Sequence, residues 1–370
     1  MIYVCEPDLK GNELKYLNQC FKEGFISGTG GRFVKEFEEE FASWCGCKYA
    51  IAVTNGSTAL QLLLSSLNIG KGDEVIFQSF TNAATCYAIV MNGAVPVAVD
   101  SEPDTWNIDP GQIENKITKR TKAIMVVHIY GNPVDMDPIM KIARKHKLFV
   151  FEDAAEAHGA TYKGRKIGSI GDAACFSFYS NKIITTGEGG MITTNNKKLY
   201  ENAQIQKNLG FSKKKRFLHF QMGYNYRMSN LQASIGLAQL ERADEFIRKK
   251  RRLAEKYLNL LKDIPGITLP VEKPWAKNVY WMFGIVIEKE YGITRDELMK
   301  RLFDMSVETR QFFIPMHEQP VFKKMGFFKN IKLPVCEALG RKGLYLPSGI
   351  NLKDNEIKYF ADCIRKSAKK

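Results

Sequence analysis

An α/β fold is what this sequence of 370 residues predicts: a large domain built on a mostly parallel central sheet, followed by a smaller C-terminal α/β domain. Two observations carry the expectation. Between about Tyr49 and Thr194, short apolar runs alternate with stretches of helical periodicity, and such alternation belongs to parallel sheets covered on both faces. Beyond Met228 the pattern changes to a long helical stretch with interleaved acidic and basic residues, and then to a short second α/β pattern.

Residues 11–44 read as two helices around the turn Gly28-Thr29-Gly30-Gly31. No strand leads into that turn, so it is not a dinucleotide-binding fingerprint. Strand patterns follow at 50–53, 74–77, 95–99, 123–128, 148–151, 174–178 and 190–194, with helical patterns at 58–67, 82–91, 112–117 and 138–146. The stretch 229–261 reads as one connector helix. After it come a strand at 280–287, helices near 295–305 and 353–367, and a loop through 312–317. The expected division is a large domain over 1–240, with an N-terminal helical segment at 1–47, and a connector helix plus small domain over 241–370. Ligands of such sheets bind beyond the carboxyl ends of the strands. Asp153, Ser177 and the Asn55-Gly56 turn all fall there.

Composition narrows the class. Hydrophobic residues make up 45% of the chain, enough for an ample core, and no apolar run approaches a membrane span. The start, Met1-Ile2-Tyr3-Val4-Cys5-Glu6-Pro7, has no signal-peptide pattern. The eight cysteines are scattered, and Cys45-Gly46-Cys47 is neither a redox nor a zinc motif, so reduced thiols in a cytoplasm and no metal are expected. The net charge of +14 gathers partly at Lys213-Lys214-Lys215-Arg216, Arg248-Lys249-Lys250-Arg251-Arg252 and Lys369-Lys370. Such runs are usually solvated faces, and they also attract anionic substrates. A nucleic-acid-binding regulator is the alternative they raise, but no nucleic-acid-binding motif accompanies them.

The chemistry concentrates at two residues. Lys182 lies in a run free of other charges from 173 to 187, and Asp153 closes the apolar run 148–151. A lysine in a small-residue turn can attach to the aldehyde of pyridoxal 5′-phosphate (PLP). An aspartate at a buried strand end can pair with the protonated ring nitrogen and make the ring an electron sink. Gly56, Ser57 and Thr58 open a helix whose N-terminus can hold the cofactor phosphate, although Ser and Thr also serve as ordinary N-caps.

Five motifs in order carry a family resemblance: 55–60 (Asn-Gly-Ser-Thr-Ala-Leu), 152–159 (Glu-Asp-Ala-Ala-Glu-Ala-His-Gly), Ser177 with Lys182, 185–190 (Thr-Thr-Gly-Glu-Gly-Gly) and 223–228 (Gly-Tyr-Asn-Tyr-Arg-Met). On these the chain resembles the DegT/DnrJ/EryC1/StrS sugar aminotransferases of fold-type I. The resemblance implies PLP as cofactor, with Lys182 and Asp153 catalytic and with Ser177, Glu156, Asn82 and Asn225 joining the residues that bind it. Glu156 stands where many relatives have glutamine beside the ring oxygen. Asn82 stands where they have an aromatic residue stacked on the ring. Lysine rather than histidine at 182 favours amino transfer over dehydration.

The same resemblance implies a homodimer with shared sites, reached across the boundary by Asn225 and Arg227. It places Arg227, His317, Phe313 and Ser27 among the substrate contacts. The implied partners are L-glutamate and a nucleotide-linked 4-keto-6-deoxyhexose, GDP-4-keto-6-deoxymannose before the UDP- or dTDP-linked glucose derivatives, with no nucleic acid and no membrane. Segments 6–13, 128–131 and 308–317 support the GDP sugar. A PLP sugar dehydratase and an amino-acid aminotransferase are the remaining alternatives.

Overall fold

The computed structural model describes residues 3–212, 215 and 217–368. Lys213, Lys214, Arg216, Lys369 and Lys370 of the basic runs lie outside the described residues. Two helices come first, α1 (Glu13–Glu23) and α2 (Arg32–Cys45). In α2, Phe33, Phe37 and Phe41 recur every fourth residue, which puts them on one face, and all three are fully buried.

Nine strands follow: β1 (Tyr49–Val53), β2 (Glu74–Gln78), β3 (Val95–Val99), β4 (Thr121–Val127), β5 (Phe149–Asp153), the hairpin β6 (Thr161–Tyr162) and β7 (Arg165–Lys166), β8 (Ala173–Ser177) and β9 (Gly190–Thr194). Seven of them form the central sheet in the order β1-β9-β8-β5-β4-β2-β3. Strands β3, β2, β4, β5 and β8 are mutually parallel, and β9 alone runs against its two neighbours. Helices α3 (Gly56–Ser66), α4 (Ala83–Met91), α5 (Met136–His146) and α6 (Lys197–Gln206) accompany the strands. Phe41 of α2 lies edge-on to Phe176 and Phe178, 5.0 and 5.3 Å between ring centroids, so α2 seals the sheet beside β8.

The expected connector helix is two helices, α7 (Asn230–Leu240) and α8 (Ala243–Leu261). The break coincides with tertiary ties to the N-terminal segment. Arg242 forks onto the buried carboxylate of Asp8, Gln239 donates to the Asp8 carbonyl, and Glu241 accepts from Asn12 and Tyr16. The expected helix at 112–117 is instead a pair of 3-10 turns, 110–112 and 114–116, the first capped by the Asp109 carboxylate on the Gly111 N–H.

The C-terminal part comprises β10 (Ile267–Thr268), β11 (Ala276–Lys277), β12 (Phe283–Ile287), α9 (Arg295–Asp304), β13 (Arg310–Gln311), α10 (Pro320–Lys324), α11 (Pro334–Lys342), β14 (Gly343–Leu346) and α12 (Asp354–Ser367). Strand β12 begins three residues later than 280, after Tyr280 takes a left-handed backbone angle of 48°. Leu253, Tyr257 and Leu261 of α8 pack with Phe283, Ile285, Leu344, Leu346, Phe360 and Ile364 into a second apolar cluster, distinct from the one around the large sheet.

Glu152, fully buried in β5, fixes the loop that leads into β8. Its carboxylate accepts backbone N–H groups from Gly168, Ile170 and Gly171 at 2.8–3.0 Å and faces His128 Nε2 at 3.3 Å. Since His128 Nδ1 already accepts from the Val134 N–H, the proton sits on Nε2 and is donated to Glu152. Burial pushes the Glu152 carboxyl up, but the hydrogen bonds from His128 and the loop outweigh it and hold the group below its ordinary value. A lowered folded-state value means stability that is complete above the unfolded value near 4.5 and lost as pH falls through the folded one. Glu152→Ala should lower the unfolding free energy by about 3–5 kcal/mol, because a buried charged acceptor leaves its donors unpaired. In urea titrations below about pH 4.5, wild type should lose stability more steeply than Glu152→Gln, which cannot titrate there.

Candidate active site

Asp153 ends β5 at a point where parallel neighbours flank it, opposite Val127 of β4 and Cys175 of β8. It is 4% exposed, and its carboxylate accepts from Thr85 Oγ1 at 2.8 Å and from the Ala155 N–H at 3.2 Å. Thr85 is in turn fixed by Thr81, with 2.9 Å between the hydroxyls. Burial raises Asp153, and Thr85, Ala155 and Lys182 oppose that rise.

Lys182 stands in the turn after β8, its own N–H bonded to the Tyr179 carbonyl at 2.9 Å. The turn is pinned through the Asn181 carbonyl, which accepts Trp281 Nε1 at 2.8 Å and Cys5 Sγ at 3.6 Å. The ammonium lies 3.5 Å from the centre of the Trp281 ring. Burial pulls the Lys182 amine below its ordinary value, while Glu156 and Asp153 pull it back up. Glu156 is buried as well and accepts the Tyr130 N–H at 2.7 Å. That N–H is aimed by a left-handed backbone at Tyr130, φ 52°. Burial pushes Glu156 above the usual carboxylate range against the attraction of Lys182.

The start of α3 forms the other end of the cleft. Asn55 caps Thr58 N at 2.9 Å, and the Thr58 hydroxyl returns to Asn55 in a capping box. The N–H groups of Gly56 and Ser57 therefore remain without helical acceptors. Two glycines permit the close approach. A Cβ on Gly56 would come within 2.8 Å of Ser177 Cβ, and one on Gly190 within 2.4 Å of the Asn55 backbone.

These groups share one cleft of about 690 Å³, lined by Gly56, Ser57, Thr58, Asn82, Asp153, Glu156, Ser177, Lys182 and Phe313 of the expected residues. Asn82 is not a stacking side chain in this conformation, since its Oδ1 caps α4 by accepting the Ala84 N–H at 3.0 Å. His317 is outside the cleft, buried with Nδ1 2.7 Å from Ser79 Oγ and Nε2 3.4 Å from Glu337. Arg227 is outside it too, donating to Asn208 Oδ1 at 2.6 Å, and Asn225 bridges to Asn208 through its backbone. Ser27 is exposed on the α1–α2 loop beside Thr29. Thr85, Tyr130, Trp281, Arg310 and Tyr345 were not expected at or beside the cleft. Tyr130 and Arg310 fell within segments already noted (128–131 and 308–317), while Thr85, Trp281 and Tyr345 come from separate segments with no local motif.

A fold-type I sheet with a lysine and an aspartate facing one cleft at its strand ends defines a class of aminotransferase. The chain belongs to the DegT/DnrJ/EryC1/StrS aminotransferase family, whose description it matches over residues 7–365. It is 45% identical to the GDP-perosamine synthase of Caulobacter vibrioides over 96% of this chain and 95% of that one. It is 42% identical to the GDP-perosamine synthase of Escherichia coli O157:H7 over 98% and 97%. Among solved structures, the S. venezuelae protein DesV in complex with a ketimine intermediate superposes with a TM-score of 0.91 at 35% identity, covering 97% of this chain and 95% of that one. Among the described residues no helix is long and apolar enough to cross a membrane.

Proposed function

We propose that the protein is a PLP-dependent aminotransferase that moves the amino group of L-glutamate to C4 of GDP-4-keto-6-deoxymannose. The observation that carries this reading is the convergence of Lys182 and Asp153 on one cleft whose far end is a helix N-terminus. The substrate follows the GDP-perosamine synthases that the chain resembles.

The residues fit the cofactor. The Gly56–Ser177 approach leaves a cradle of unengaged N–H groups for a phosphate. Asp153 has only two donors and a strong need for a cation at that depth. When bound, PLP supplies the carbonyl that receives the amino group and a ring that withdraws electrons from the reacting carbon. Asp153 would hold a proton on the ring nitrogen. Glu156, raised by burial, would hold a proton toward the ring oxygen. Lys182 would anchor the cofactor between turnovers. Its Nζ, kept unprotonated by desolvation, would take the proton from the glutamate α-carbon in one half-reaction and deliver one to the sugar C4 side in the other. Ser57 and Ser177, both in the lining, would hold the phosphate through their hydroxyls. The Thr58 hydroxyl is already engaged in its cap, so Thr58 contributes position and its place in the helix start.

A homodimer with shared sites belongs to the same reading. Arg227 and Asn225 lie off their own chain's cleft, and the neighbouring Phe220 and Met222 are 79% and 88% exposed, an apolar pair suited to burial against a second copy.

A panel of GDP-, UDP- and dTDP-4-keto-6-deoxyhexoses with glutamate and PLP, read by mass spectrometry, tests the reading. Only the GDP-mannose derivative should gain the amine at full rate. Lys182→Ala should bind the cofactor non-covalently and lose multiple turnover, and full turnover by that variant would remove Lys182 from its role. Mixing Lys182→Ala with Arg227→Ala subunits should restore activity up to about a quarter of wild type, since half the dimers are mixed and one of two sites is then intact. Confirmed subunit exchange without recovery would place Arg227 outside the shared site.

A further inference from the structure

Besides Lys182, one other cation lines the cleft among the described residues: Arg310. It opens the short strand β13, where it pairs across to Tyr345 of β14. One end of its guanidinium is tethered, with Nη2 3.1 Å from Glu308 Oε1, while Glu308 Oε2 accepts the Val4 N–H at 2.9 Å. The tether fixes the side chain by one edge, and a guanidinium has five N–H donors. The opposite edge, at a side chain 58% exposed, is available to an anion in the cleft.

We propose that Arg310 recognises the α-carboxylate of the amino donor and so sets specificity for the amino-acid substrate. The inference rests on the aminotransferase reading above. Both substrates of that reaction are anionic, and their charges lie at different distances from the reacting carbon. In an amino acid the carboxylate is bonded to the reacting carbon itself. In a 4-keto hexose nucleotide the diphosphate is on C1, across the sugar ring from C4. Tyr345, the strand partner of Arg310, packs its ring 5.8 Å from that of Tyr130, whose N–H donates to Glu156 at 2.7 Å. The Tyr130 ring also stacks 6.3 Å from that of Trp281, on which Lys182 rests, so Arg310 joins the wall of the cleft that carries Glu156 and Lys182. With Asp153 paired to the cofactor and Glu156 holding its proton, Glu188 is the lining carboxylate left to repel an incoming carboxylate. With Lys182 committed to the cofactor, Arg310 is the remaining lining cation that can offset it, and its planar fork matches a carboxylate in two parallel bonds.

The test is calorimetric binding to the PLP-loaded enzyme, with glutarate as an unreactive dicarboxylate and GDP as an unreactive nucleotide. Arg310→Ala should bind glutarate about tenfold to a hundredfold more weakly, the loss expected for charge-assisted hydrogen bonds, and GDP as wild type does. Arg310→Lys, which keeps the charge without the fork, should fall between them and covers the case in which the alanine variant misfolds. Unchanged glutarate binding by either variant, or a loss for GDP equal to or larger than that for glutarate, overturns the proposal. Glutamate-driven bleaching of the cofactor absorbance in wild type separates the two failures. If wild type bleaches and Arg310→Ala binds glutarate normally, only this inference falls. If wild type does not bleach, the aminotransferase reading falls with it.

Discussion

A carboxylate shut away from water at the end of a strand is the constraint around which this site is arranged. Asp153 keeps 4% of its surface exposed, and burial drives it toward the neutral acid. Burial drives Lys182 toward the neutral amine by the same physics. Each charge is the other's partial remedy, and Glu156 enters the same balance. Two hydrogen bonds, from Thr85 and Ala155, are too few to hold a carboxylate ionised at that depth. A cationic ring nitrogen in the cleft would complete its shell, which is why this balance of charges favours a cofactor of PLP's kind.

The rest of the fold serves to keep those groups in register. Parallel pairing of β4, β5 and β8 brings Val127, Asp153 and Cys175 side by side, and the Glu152–loop bonds lock the entry to β8 one residue before Asp153. The lysine turn is held from outside the large sheet. Trp281, just before β12, and Cys5, in the N-terminal segment, both bond the Asn181 carbonyl. Asp8 then anchors that segment to Arg242 at the head of α8. The position of Lys182 therefore depends on three distant parts of the chain, and a change in any of them reaches the chemistry.

Much of this was legible in the sequence for a physical reason. Buried parallel strands are short apolar runs, so every strand of the central sheet stood out, and a strand end followed by Asp-Ala-Ala or by Asn-Lys marks itself. Helix limits were less visible where tertiary bonds override local periodicity. The pattern 229–261 is continuous in sequence, and the turn at Glu241–Arg242 coincides with bonds to residues more than two hundred positions away. Thr85 and Trp281 carry no local signal, because a lone threonine or tryptophan becomes informative only when its neighbours in space are known. His317 illustrates the converse. It belongs to a segment on which the resemblance rests, yet its ring is consumed by Ser79 and Glu337, tying the loop after β13 to the end of β2.

The most direct measurement of the central claim is the ¹⁵N NMR shift of PLP labelled at its ring nitrogen and bound to the protein. With Asp153 in place the nitrogen should remain protonated across the neutral range, and in Asp153→Asn it should lose its proton at neutral pH. A ring nitrogen that is unprotonated in wild type, or equally protonated in both proteins, would contradict the account.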